Sequence, residues 1–95
     1  MRKITSLAIS AFNNNKDFNS GNTSVHVDGN NTLLRLHGNL IAKKEAGALS
    51  ISCGGWMSNT TKERLNGLTG VSIYQKKKQW FLNDVLWDGD WIQID

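Results

Sequence analysis

The chain has 95 residues, 39% of them hydrophobic and 20% charged, with a formal net charge of +3. That size admits one domain, residues 1–95, with a single modest core, and that composition excludes wholesale disorder. One cysteine, Cys53, excludes an internal disulfide and a cysteine-based zinc cluster, and the lack of proline leaves turns to Gly, Asn and Asp.

Ile4, Leu7, Ala8, Ala11 and Phe12 recur at helical spacing and predict an N-terminal amphipathic helix, ended by Asn13, Asn14 and Asn15. Thr5, Ser6 and Ser10 interrupt the apolar stretch of MRKITSLAISAF, which argues against a signal peptide. Residues 16–22 read as a loop. From Thr23 the period changes to two: Val25 and Val27 share one face, with Ser24 and His26 on the other. DGNN at 28–31, Gly38-Asn39 and EAG at 45–47 are turn signals between short strands. The strand TLLRL places Leu34 and Leu36 inward, and ALSISC does the same for Leu49, Ile51 and Cys53.

GGWMSNTTKERLNGL, residues 54–68, breaks the alternation. Thr60-x-x-Glu63 reads as a capping box opening a short helix, with Leu65 as its inward anchor and Gly67 as its C-terminal stop. VSIYQ and QWFLN then alternate about Lys76, Lys77 and Lys78 as a hairpin, and Asp88-Gly89 predicts a final hairpin with Trp87 and Trp91 flanking its turn. Together these elements predict an α+β domain: an antiparallel meander carrying an N-terminal helix and a short inserted helix.

The blocks FNSGNTSVHV, LHGNLIA, GGWMSNTTKERLNGL, VSIYQKKKQWFLN and WDGDWIQI resemble a group of small, mostly uncharacterised proteins of tailed bacteriophages. The resemblance runs over roughly residues 12–94. It implies a phage accessory protein acting in the host bacterial cytoplasm, and it implies no reaction, cofactor or catalytic residue.

Charge is unevenly spread: all eleven Lys and Arg precede residue 79, and the residues after it hold Asp84, Asp88, Asp90 and Asp95 with no base. A basic body of this kind attracts phosphates. No segment has the length to span a bilayer, so no membrane role is expected. Nucleophilic catalysis would need Cys53 or a serine beside His26 or His37, but Cys53 shares the apolar face of its strand and the histidines face outward. His26, Asp28 and His37 are the best metal candidates, and surface residues flanking turns explain them more simply. Neither an enzyme, a metal nor a cofactor is therefore expected.

Two binding readings remain. In the favoured one, Lys62, Arg64, Lys76, Lys77 and Lys78 contact the phosphates of DNA or RNA, and Trp56 and Tyr74 stack or position bases. Ser58 and Asn59 complete that set at the helix start, where backbone N–H groups face outward. Trp80 and Phe81 interleave with the same lysines. The alternative is an inhibitor of a host enzyme or defence complex, with Trp87, Asp88, Asp90 and Trp91 as its protein-binding anchor. Self-association into a homo-oligomer is compatible with either.

Overall fold

Strand-forming alternation, punctuated by residues that tolerate positive φ, folds much of this chain into antiparallel sheet. A computed structural model describes residues 2–94; Met1 and Asp95, the last of the C-terminal acids, lie outside the described residues. In chain order come helix α1 (Lys3–Asn13), strands β1 (Phe18–Ser20), β2 (Thr23–Asp28), β3 (Asn31–Leu36), β4 (Asn39–Glu45) and β5 (Ala48–Ile51), and helix α2 (Asn59–Leu65). Then follow β6 (Ile73–Lys76), β7 (Gln79–Leu82), β8 (Val85–Leu86) and β9 (Ile92–Gln93). The architecture is α+β.

β1 to β5 form a meander in sequence order, extended by β9 against β5, while β6, β7 and β8 make a separate three-stranded sheet. The segment expected to be a loop at 16–22 contains β1, which pairs with β2 through Phe18↔Val25. The expected alternation on β2 and β3 is present: Val25, Leu34 and Leu36 are buried, and Thr23 and Thr32 join them. The β3–β4 register slips between Leu34 and Arg35, leaving Ile41 as an extra residue, and this bulge lets Ile41 and Ala42 be buried in succession.

α1 lies across β1, β2 and β3. Its buried face is Thr5, Ala8, Ile9 and Phe12, one step round from the expected stripe, so Leu7 is exposed. The rotation brings the Thr5 hydroxyl inward to a buried polar partner. At the helix end, Lys44 Nζ donates to Phe12 O at 3.0 Å and Asn15 takes a left-handed conformation at φ 54°. Phe12, Leu34, Ile41, Ile51 and Leu65 are fully buried in a core shared with Trp80, Leu82 and Trp87. Each such side chain contributes on the order of 1.5–3 kcal/mol relative to exposure.

Gly67 has a reason other than the left-handed stop expected of it. Its φ is not positive, and a Cβ there would sit 2.7 Å from Ile9 Cγ1, so glycine lets the exit of α2 press against α1. The C-terminal hairpin also differs from expectation. The turn falls at Asn83-Asp84, with φ of 50° and 69°, and pairs β8 with β7. The chain then crosses to the other sheet, and Gly89 passes directly over Cys53. Cys53 N–H donates to Gly89 O at 2.8 Å, and a Cβ on Gly89 would meet Cys53 Sγ at 2.7 Å. Cys53 is thus a packed core residue.

Candidate nucleic-acid interface

The N-cap of α2 falls two residues before the expected one. Ser58 is the N-cap: its Oγ accepts the Thr61 N–H at 3.1 Å and lies 3.0 Å from Thr61 Oγ1. Thr60 therefore caps nothing, and Glu63 does not reach back to the helix start. Glu63 turns instead towards α1, where it accepts from the Thr5 hydroxyl, the Arg2 N–H and Arg64. Burial alone would raise the Glu63 carboxyl. The hydrogen bonds from Thr5, Arg2 and Arg64, together with the Arg64 charge, outweigh it and hold the group below the ordinary glutamate value.

The structure removes Arg64 from the phosphate-contacting set. The residue is 1% exposed, and its side chain is the most voluminous of the fully buried ones. Its guanidinium donates from Nε to Thr23 Oγ1 at 3.1 Å, from Nη1 to Thr5 Oγ1 at 2.6 Å, and to Glu63. One buried cation thereby ties α2 to α1 and β2. Arginine suits this place because its planar fork reaches four acceptors, the fourth being Asn22 Oδ1 at 3.4 Å from Nη2, and stays charged. Alternation rules do not reveal such a residue, since a buried arginine in a short helix looks like any solvated one.

Trp87 leaves the alternative set for a similar reason. It packs against Trp80 with ring centroids 6.2 Å apart, and its Nε1–H donates to Asp90 O at 2.9 Å. Asp88 and Asp90 perform turn chemistry, accepting the N–H groups of Asp90 at 3.0 Å and Trp91 at 2.8 Å. Trp91 remains exposed, with Lys43 Nζ 4.7 Å from its ring centre. His26 lies 3.9 Å from Asp17, and His37 stands in a turn at φ 53°. Among the described residues, no three His, Cys, Asp or Glu side chains gather as metal ligands.

Part of what remains meets at the β6 edge of the three-stranded sheet. A cleft of about 640 Å³ separates α2 from β6 and is lined by Arg2, Asn59, Thr60, Lys62, Glu63, Tyr74 and Gln75, among others. It brings together three of the expected residues, Asn59, Lys62 and Tyr74. Lys62 is only partly free: its Nζ lies 5.8 Å from the Trp80 ring centre and 3.5 Å from Gln75 Oε1. Ser58 is exposed and occupied as the cap, and Trp56, just before it, is 63% exposed.

The pairings Tyr74↔Phe81 and Phe81↔Leu86 put these three side chains in a row across the outer face of the sheet. Ile73, Trp80 and Leu82 face the core. The Tyr74 and Phe81 rings stack at 5.2 Å with 12° between planes. Desolvation, then the charge and hydrogen bond of Asp84, raise the Tyr74 phenol above its usual value, so it stays neutral at ordinary pH. Lys76 ends β6 beside this row, and Lys77 and Lys78 form the turn with φ of 52° and 64°.

A sequence model of the family described as Kyanoviridae Gp96 protein matches residues 1–95, the whole chain. The chain belongs to that phage protein family. No curated protein and no solved structure matches it. The family description names no activity. No helix among the chain's described residues is long and apolar enough to cross a membrane.

Proposed function

We propose that this phage protein is a non-enzymatic nucleic-acid-binding protein of the infected host's cytoplasm. It would contact single-stranded DNA or RNA through the outer face of β6–β7 and the lysine turn. The observation that carries the reading is the Tyr74–Phe81 stack, with Tyr74 exposed and Phe81 half-buried, beside the exposed Lys76, Lys77 and Lys78. A left-handed conformation at a residue other than glycine costs roughly 1–2 kcal/mol. Asparagine and glycine are the usual residues of such a two-residue turn. Two lysines there accept strain with no burial to offset it, which is understandable if their charge is used. Tyr74 and Phe81 supply sequence-tolerant stacking, Lys76–Lys78 track the backbone, and Asn59 and Lys62 border the adjoining cleft.

Salt-titrated fluorescence anisotropy with labelled single- and double-stranded DNA and RNA tests this. Affinity should fall steeply with salt and favour single strands. No binding to any of the four at low salt would end the proposal.

A second reading, recognition of a host protein such as an enzyme or a defence complex, has its own support. Trp56 and Met57 are adjacent exposed apolar side chains, and Trp91 is exposed on the crossing segment. Exposed tryptophans are frequent anchors of protein interfaces. Stoichiometric capture of one host protein from nuclease-treated lysate, lost in Trp56→Ala, would favour it over the first.

A further inference from the structure

β6 is an outer strand of its sheet, and the cleft between it and α2 holds a pair of main-chain groups that the fold leaves open. On an antiparallel edge strand, alternate residues turn both their N–H and their C=O away from the paired strand. Ile73 is one of these: its N–H donates to Asn66 Oδ1 at 2.6 Å, and its C=O accepts from Asn66 Nδ2 at 2.9 Å. One planar carboxamide thus satisfies both groups. Gln75 is the next residue in the same phase, opposite Trp80, so its N–H and C=O face the cleft in the same way. The hydrogen bond described for Gln75 is made by its side chain, with Lys62 Nζ, and no described group takes the main-chain pair. A β-strand has no room here. Asn66 already fills the place beside Ile73, α2 stands across the cleft, and the chain turns at Lys77 and Lys78. One free pair between these two stops fits a ligand one amide wide.

We propose that this cleft binds one unpaired nucleobase edge-on, through the N–H and C=O of Gln75. The inference rests on the nucleic-acid reading and adds a base subsite to it. Every nucleobase carries a donor and an acceptor side by side on its pairing edge, the arrangement that the Asn66 carboxamide presents to Ile73. Charge favours a nucleotide over a neutral amide. Arg2 and Lys62 line the cleft and Lys76 follows Gln75, in position for the phosphates of the same strand. Glu63, the carboxylate of the lining, is already engaged by Thr5, Arg64 and the Arg2 N–H. A base held this way has no edge left for a complementary strand, which gives the expected preference for single strands a structural cause. Tyr74 borders both the cleft and the outer face of the sheet, so the two form one path for the strand.

The test compares an oligothymidylate with the same oligomer built from N3-methylthymidine, which keeps the phosphates, sugars and rings but loses the N–H of the pairing edge. Binding to the full chain is read by salt-titrated anisotropy and by heteronuclear NMR. The methylated oligomer should bind about five- to tenfold more weakly with the same salt slope. The unmethylated one alone should shift the Gln75 amide and slow its hydrogen exchange. Oligouridylate and its N3-methyl form repeat the comparison for RNA, and the pair with the larger difference names the source of the base. Gln75→Pro removes the N–H at an edge position without breaking a ladder bond, and should bring the unmethylated oligomer down to the methylated level. If that variant does not fold, the paired oligomers decide alone. Equal affinity for both members of a pair, with shifts at the lysine turn intact, would overturn the cleft subsite and leave the nucleic-acid reading standing. No binding by any oligomer at low salt would end both. A Gln75 amide moved by a capped asparagine peptide at a lower concentration than by the oligomers would give the cleft to a protein and overturn the proposal as well.

Discussion

Replacing Lys77 and Lys78 together by Asn and Gly separates what the lysine turn does for the fold from what it does for binding. Both residues hold positive φ, 52° and 64°, and both are exposed. Relief of left-handed strain is worth roughly 1–2 kcal/mol per residue. The added glycine returns about 0.5–1 kcal/mol through greater freedom of the unfolded chain. Over the two residues the net expectation is a stabilisation of about 1–3.5 kcal/mol. For a domain of this size each kcal/mol corresponds to roughly 4–8 °C in Tm. Binding should move the other way. Each lost phosphate contact on a single strand lowers the slope of log K against log salt by about 0.7, so the double variant should lose about 1.4. Calorimetric melting and salt-titrated anisotropy measure the two halves. A Tm that stays put or falls refutes the strain argument, and a raised Tm with an unchanged salt slope refutes the functional reason for the lysines.

Arg64→Ala leaves the Glu63 carboxylate and the Thr5 and Thr23 hydroxyls without their shared donor, and should cost about 3–5 kcal/mol in a urea titration; a loss under about 1 kcal/mol would mean that the buried network matters little. Glu63 is held below its ordinary value of 4.5, so its contribution is complete above that pH and is lost as pH falls through the lower folded-state value. Stability profiles of wild type and Glu63→Gln should therefore converge in acid; parallel profiles would contradict the assigned network. Gly67→Ala must displace Ile9 and should destabilise by roughly 1–3 kcal/mol, whereas an unchanged Tm would show that α1 and α2 are less tightly apposed. Tyr74→Ala should weaken single-strand binding by about 1–3 kcal/mol if one base stacks on it, while leaving the salt slope in place.

The strands from Thr23 to Ile51 were legible because period two and glycine-bearing turns are local signals that tertiary packing reinforced. The lysine hairpin was legible for the same reason, although its turn residues are poor local choices. The final hairpin was not. Asp88-Gly89 is a strong turn signal, but Gly89 is there for close approach to Cys53, and the residues with hairpin geometry are Asn83 and Asp84. The stripe of α1 was displaced by one position because Thr5 is drawn inward by Arg64, a contact between residues 59 apart that no local pattern encodes. The same contact explains why Arg64 was misplaced on the surface. Of the candidate site, Asn59, Lys62 and Tyr74 were foreseen and do meet at one cleft, while Leu86 and Met57 gave no advance sign of exposure.

The central claim is that the Tyr74–Phe81 face and the lysine turn receive a nucleic-acid strand. The most direct measurement is a heteronuclear NMR titration of the full chain with a short oligothymidylate at low salt. The account predicts saturable shifts at the amides of Tyr74, Lys76, Lys77, Lys78 and Phe81, reversed by added salt, with β1 and β2 unmoved. Shifts confined to Trp56, Met57 and Trp91, or none at all, would contradict it.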